Sequence, residues 1–319
     1  MRFLDFIDFL IQRMKMSKQF KILILVPLLV LVIALSCNKK DNNQPNSDSI
    51  IAGKTSILVD ETLLPIIEDQ VTVFESQYDA KITLIPKSEK ESILELSKTK
   101  MGIIVLSREL NKQELTLFNK NKIKPKTTPF AIDAIAFIKS KKSNDSLIDL
   151  KEVIDFVKGN KNTIKGLVFD NPNSSSVRYI CNLAEIESLP IEGIFSFKTN
   201  EEVIKHVSEN DGMIGVVGIN WLSQPKPEMQ KYIDNVTILS VKVNNDNYVY
   251  PSQESIATRE YPLARVLYII NCQGYEGLGM GFASFIAGEI GQRIISQSGL
   301  APIREPSRDI IIRNQIEKK

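Results

Sequence analysis

From Thr55 onward the chain alternates short apolar runs of strand length with segments whose apolar residues recur at helical spacing, and few folds accept that order. "TSILVDETLL" reads as a strand ending in a polar turn, and Pro65–Tyr78 then carries Ile66, Ile67, Val71, Phe74 and Tyr78 on a helical face. "AKITLIP" is a second strand, followed by a predicted helix over Lys90–Thr99 and the buried-type strand "MGIIVLS". "DAIAFIK", "IKGLVFD", "GMIGVVG" and "VTILSVKV" repeat the strand signal, with helices predicted over Ser146–Lys158, Val177–Ile186 and Asn200–Asn210. "YPLARVLYIINC" adds one more strand, and "GFASFIAGEIGQRIISQSGLAPI" one or two helices. Strands separated by helices predict an α/β fold with a parallel, doubly wound sheet, whose ligand crevice lies beyond the strand ends. No internal repeat is present.

At 319 residues the chain has room for one large domain or two ordinary ones. Its net charge is +2, with no block of five or six like charges, which argues against a nucleic-acid binder. A soluble body with a small-molecule or protein partner is expected.

The N-terminus carries a separate signal. Lys18 and Lys21 precede "ILILVPLLVLVIALS", a continuous apolar run that ends at Cys37 and gives way to "NKKDNNQPNSDS". A basic region, an apolar stretch and a small residue before the cut form an export signal over residues 1–36. Ala34-Leu35-Ser36-Cys37 resembles the bacterial lipoprotein box, with alanine in place of the more usual leucine at its first position. That resemblance makes Cys37 the lipidated first residue of the mature chain; the other reading is an uncleaved anchor, for which the run is short. Either tethers the body to a membrane, facing the periplasm or exterior. The acidic leader upstream of the run points to a start at Met16, and residues 37–53 read as a flexible tether.

Two polar turns directly after strands suit an anion. Asp60-Glu61-Thr62 follows the first strand, and Asn171–Ser176 follows "LVFD", running into a helix with Arg178 one turn on. Each presents backbone amides at a helix N-terminus, where the dipole also favours negative charge. Plain N-capping is the commoner explanation of any one such turn, and it is the pair of turns in separate halves of the chain that favours an anion. A third turn, Ser107-Arg108-Glu109, adds a cation at another strand end. His206 is the only histidine and falls on a predicted helix; with no second histidine and no Cys-x-x-Cys pair, neither a metal site nor a cofactor is expected. "GYEGLGMGFASF" misses the dinucleotide pattern at Phe282 and reads as a loop entering a helix, and Trp221 reads as a packing anchor.

In order along the chain, "LVDETLLP", "PFAIDAIAFI", "DLKEVIDFVKGN", "NSSSVRYI", "DGMIGVVG", "REYPLARVLYII" and "GQRIISQSGLAPI" resemble the phosphate-binding proteins of ABC importers, the PstS-like branch of the type 2 periplasmic binding proteins. The resemblance implies two α/β lobes joined by two crossing strands, residues 54–133 plus 248–319 and residues 134–247, with crossings near Phe130–Ile135 and Asn244–Ser252. It implies no enzyme, but a monomeric binding protein that captures phosphate between the lobes and delivers it to an ABC permease. Ser174, Ser175 and Ser176 match the family's Ser-Gly-Thr turn, and Thr62 a hydroxyl residue of the first loop. Where the family carries an aspartate after the third-turn serine and an arginine before the serine turn, this chain has Arg108 and Asp170, as if the charges were exchanged. The candidate ligand set is therefore Asp60, Glu61, Thr62, Ser107, Arg108, Asp170, Ser174, Ser175, Ser176 and Arg178. A disulfide between Cys181 and Cys272, placed in different lobes, would oppose hinge motion, so both are expected as free core residues. Another oxyanion remains an alternative ligand, a sensing lipoprotein without transport an alternative role, and a phosphatase lacks an evident nucleophile and base.

Overall fold

The computed structural model describes residues 48–99, 102–160, 163–244 and 247–305. The export signal, the Met16 start, Cys37 and most of the tether lie outside the described residues. β1 (Ala52–Asp60) leads through a short 3-10 turn into α1 (Leu64–Gln77), whose first turn holds Pro65, a residue suited to a position where an N–H has no acceptor. β2 (Asp79–Lys87), α2 (Glu89–Thr99), β3 (Ile103–Leu106) and α3 (Lys112–Asn119) follow. The long β4 (Lys126–Ser140) leads to β5 (Leu147–Asp149), α4 (Leu150–Val157), β6 (Leu167–Phe169) and α5 (Ser175–Ala184). Next come β7 (Ile194–Ser196), α6 (Asn200–Glu209) and β8 (Ile214–Gly218), then β9 (Val236–Ile238), β10 (Ser240–Asn244) and β11 (Asn247–Val249). The chain closes with α7 (Gln253–Ala257), β12 (Ala264–Asn271), α8 (Leu278–Ala287), α9 (Glu289–Gln297) and β13 (Ala301–Pro302).

The large sheet has the order β2-β1-β3-β12-β4-β8-β6-β7, with β13 and β9 also on β4. Its wings are parallel, β1 with β2 and β3, and β6 with β7 and β8. Its centre is not: β12 runs antiparallel to both β3 and β4, and β4 antiparallel to β8. The expected parallel pairing thus holds in both wings but not at the centre, because β4 and β12 are not successive strands of a βαβ unit and a distant strand is free to enter from either end. β4 serves both wings. Its residues Lys126–Ala134 pair with β12, and Ile135–Ser140 with β8 and β9, so the change of partners falls between Ala134 and Ile135.

Period-two alternation buries both sheet faces. Ile57, Val59, Ile103, Val105, Leu267 and Ile269 join one core cluster, whereas Leu58, Ile104, Leu106 and Ile270 join the other. Phe74 on α1 packs edge-on against Phe282 and Phe285 of α8, with ring centroids 5.3 and 5.2 Å apart. Cys181 and Cys272 are free and buried. Other local readings need adjustment. The helix predicted from Ser146 begins at Leu150, after β5 and the Asp149 cap, and "VTILSVKV" divides at Leu239 into β9 and β10, which belong to different sheets. α3, β7 and α7 had no counterpart among the predicted elements; each is short, below the length at which periodicity speaks. The return expected near Asn244–Ser252 runs from β11 through residues 250–252, which carry no strand, into α7.

The Phe74 contact generates a direct test. Phe74→Ala removes a ring that is 1% exposed, and should lower unfolding stability in urea by about 3–5 kcal/mol without changing the fold seen by circular dichroism.

Candidate functional site

The site begins with two charges that apolar strands would not ordinarily tolerate. Asp133 on β4 and Arg265 on β12 are directly opposite in the strand register, one step before β4 exchanges partners. Both are buried, and Arg265 Nε and Nη2 donate to Asp133 Oδ2 at 3.1 and 2.8 Å. The remaining guanidinium nitrogen, Nη1, donates to Ser175 Oγ at 3.0 Å, on the far side of the change of partners. The serine turn is thereby joined to β12.

Around this pair the first and second polar turns meet. Ser174 caps α5 by accepting from the Val177 amide, and its hydroxyl donates to Asp170 Oδ1. Thr62 Oγ1 donates to Asp170 Oδ2 at 3.2 Å, and Ser175 Oγ lies 3.5 Å from Thr62 Oγ1. Asp60 caps the short turn after β1 by accepting from the Thr62 amide. The turn is held from outside as well, since the Thr62 carbonyl accepts from Asn220 Nδ2 and Trp221 Nε1. Asp60 Oδ2, Asp133 Oδ1 and the Ser176 hydroxyl are buried and have no hydrogen-bond partner among the described residues. The first turn of α5 adds N–H groups that no helical carbonyl accepts.

Electrostatically the cluster is rich in carboxyls. Burial, followed by the charge of Glu89, raises Asp60 to about 6. Burial raises Asp170 to about 7 despite the Ser174 hydrogen bond, with the Asp60 charge adding to the rise. Glu61, which accepts from the amide and side chain of Asn200, is pushed up to about 8 by burial and then by Asp170. Burial also raises Asp133, against the pull of Arg265. A nearby proton donor or a protonated guest is therefore favoured over a fully ionised one.

The predicted residues separate into two groups. Asp60, Thr62, Asp170, Ser174, Ser175 and Ser176 come together around Arg265, and Glu61 sits beside them on Asn200. Ser107, Arg108 and Arg178 form a second cluster. Arg108 donates to both carboxylate oxygens of Glu114 at 2.8 and 2.9 Å and to Glu89 at 2.9 Å, while Arg178 donates to Glu89 at 2.7 Å and to Ser107 at 3.1 Å. A groove of about 880 Å³ is lined by Arg108, Arg178, Glu89 and Glu114 and reaches the first group at Ser174. Arg265, Asp133 and Asn200 were missed by the sequence reading. The available signal was a lone charge inside each of two apolar strands, "AIDAIAFI" and "LARVLYII", since such charges are buried only when paired. His206 lies partly buried on α6 beside Phe197.

The PBP superfamily domain family matches residues 44–289. The phosphate-binding protein PstS of Borreliella burgdorferi is 26% identical over 306 residues, which cover 89% of this chain and 99% of that protein. Two solved structures share the fold. One is described as a phosphate ABC transporter substrate-binding protein from Clostridium perfringens with bound phosphate, at TM-score 0.66 and 18% identity over 79% of this chain and 100% of that one. The other is an ABC-type phosphate transport receptor from Vibrio cholerae, at TM-score 0.59 and 15% identity over 78% and 100%.

The raised carboxyls set the sign of a pH test on the ligand-free chain. In the folded state they keep protons that the unfolded chain releases near pH 4, so their contribution is full below that value and is lost as pH rises through about 6, 7 and 8. The melting temperature should fall across that window, and Asp170→Asn should flatten the fall in a pH series of thermal melts.

Proposed function

We propose, for a chain that belongs to the PBP superfamily, that it is a binding protein and not an enzyme, and that it captures inorganic phosphate between its two halves for import. The observation that carries this reading is the convergence of Thr62, the serine turn and Arg265 on one buried point where β4 passes between the wings. We take residues 54–133 plus 248–319 and residues 134–247 as the two lobes, with the anion between them. Ser175, Ser176, Thr62, the first amides of α5 and Arg265 donate to its oxygens; Asp60 and Asp170 accept its protons or donate their own. Arg108 and Arg178 lie outside this ligand set, because they meet Glu89, Glu114 and Ser107 in the second cluster, whereas Arg265 reaches the serine turn itself. The names of the relatives support phosphate as the ligand and an ABC permease as the recipient. A lipidated Cys37 as tether and a monomeric body belong to the same reading.

The magnitudes are adequate. Hydrogen bonds to a charged group contribute roughly 1.5–3 kcal/mol each, and binding at about 1 μM needs roughly 8 kcal/mol net of desolvation and closure. Five or more donors supply that. Closure follows if the anion binds the closed arrangement more tightly than the open one.

Calorimetric titration of the purified full-length chain with phosphate and then sulfate tests the reading. Phosphate should bind and sulfate should be at least about tenfold weaker, since sulfate brings no proton to the Asp60 and Asp170 carboxyls. Ser175→Ala should weaken phosphate by roughly tenfold, at about 1.5 kcal/mol for a lost hydrogen bond to a charge. Binding of neither anion would sink the transport reading and leave a tethered interaction module. Repeating the phosphate titration from pH 6 to pH 8.5 should show affinity falling as pH rises, because Asp60, Asp170 and Glu61 gain charge across that range.

A further inference from the structure

The second cluster has chemistry that the ligand set does not use. Glu89 opens α2, which packs on β1, β2 and β3, and its side chain is 4% exposed. One of its oxygens, Oε1, accepts from two arginines: Arg108 at 2.9 Å, from its own half, and Arg178 at 2.7 Å, from α5 of the other half. Its second oxygen, Oε2, has no hydrogen-bond partner among the described residues. Arg178 also donates to Ser107 at 3.1 Å, and the Lys90 amide donates to the Asn173 carbonyl at 3.2 Å. α2 and the loop after β3 are thus joined to the start of α5 within one turn of Ser174–Ser176.

The cluster is built to part. Arg178 is 27% exposed at the side chain, on the wall of the 880 Å³ groove, so it can pass into water when α5 moves away. Glu89 would then keep Arg108, which is itself fixed by both oxygens of Glu114. Separation strands no buried charge, which is the usual penalty for breaking a buried ion pair. A shared carboxylate with one resident and one visiting arginine therefore makes a reversible contact.

Resting on the binding reading above, we propose that Glu89 and Arg178 form a latch between the two halves that sets how long the anion is retained, with Arg178 acting as a positioning residue and not as a ligand. Arg108 is the resident partner that keeps the latch easy to open. The two arginines then act in opposite directions: loss of Arg178 removes the visiting contact, whereas loss of Arg108 leaves Glu89 dependent on Arg178 and makes opening costlier.

The test is stopped-flow phosphate release from the full-length chain, followed by the emission of Trp221, the one tryptophan, whose indole donates to the Thr62 carbonyl at 2.9 Å. Arg178→Gln should raise the release rate about five- to tenfold and leave the association rate within about twofold, as expected when one partner of a close charge pair is truncated. Arg178→Lys should recover part of the loss. Arg108→Gln should slow release. Thermal melts check that each variant folds, and Arg178→Lys carries the test should Arg108→Gln fail to do so. An unchanged release rate in Arg178→Gln overturns the latch, as does loss of phosphate over sulfate selectivity in that variant, which would make Arg178 a ligand. A wild-type chain that takes up no phosphate overturns the binding reading and the latch with it, whereas normal phosphate uptake with an unaltered release rate overturns the latch alone.

Discussion

The ion pair between Asp133 and Arg265 is the contact on which the arrangement turns. Two charges in the middle of a sheet cost several kcal/mol each to take out of water, and a well-packed apolar pair would often be as stable. Here the pair sits one residue before β4 changes partners, and its spare nitrogen reaches Ser175 across that change. Removing either partner would leave the other buried and unpaired. The pair therefore does more than join two strands: it sets a buried positive charge against the serine turn.

Against that buried cation stand Asp60, Asp133 and Asp170, with Glu61 close by. Such an excess of carboxyls would repel a fully ionised guest unless protons were shared, and burial raises each of the four in the direction that keeps protons in place. Hydroxyls from Thr62 and Ser174 both donate to Asp170, and Ser175 meets Thr62, which joins the two turns through one carboxyl. Selectivity among tetrahedral oxyanions, in this reading, depends on the proton count as much as on the number of donors.

The arginines illustrate how position along the chain can mislead about charge. Arg108 and Arg178 stand at the strand end and helix turn where an anion ligand would be sought, yet each is met by carboxylates at hydrogen-bond distance. Glu89 and Glu114 come from α2 and α3, elements with no evident part in anion binding when read along the chain. Burial alone would raise Glu114, but the hydrogen bonds and charge of Arg108 outweigh it and hold this carboxyl below its ordinary value. The result is a charge-balanced cluster beside a group whose own balance is acidic.

Much was legible along the chain. The alternation of strand and helix patterns determined the α/β class, because period-two and period-3.6 burial are local properties of the backbone. The serine turn and the Asp60–Thr62 turn were legible for the same reason: capping chemistry involves residues two to four apart. Only the tertiary structure decided the antiparallel centre of the sheet and the division of β4 between two wings, since strand order depends on contacts between segments far apart in the chain, such as Asp133 with Arg265 and Ile135 with Gly218. It also decided which charges belong together. Asp133 and Arg265 are 132 positions apart, and Glu89 and Arg178 are 89 apart, so nothing local distinguishes an arginine that faces a ligand from one that faces a glutamate.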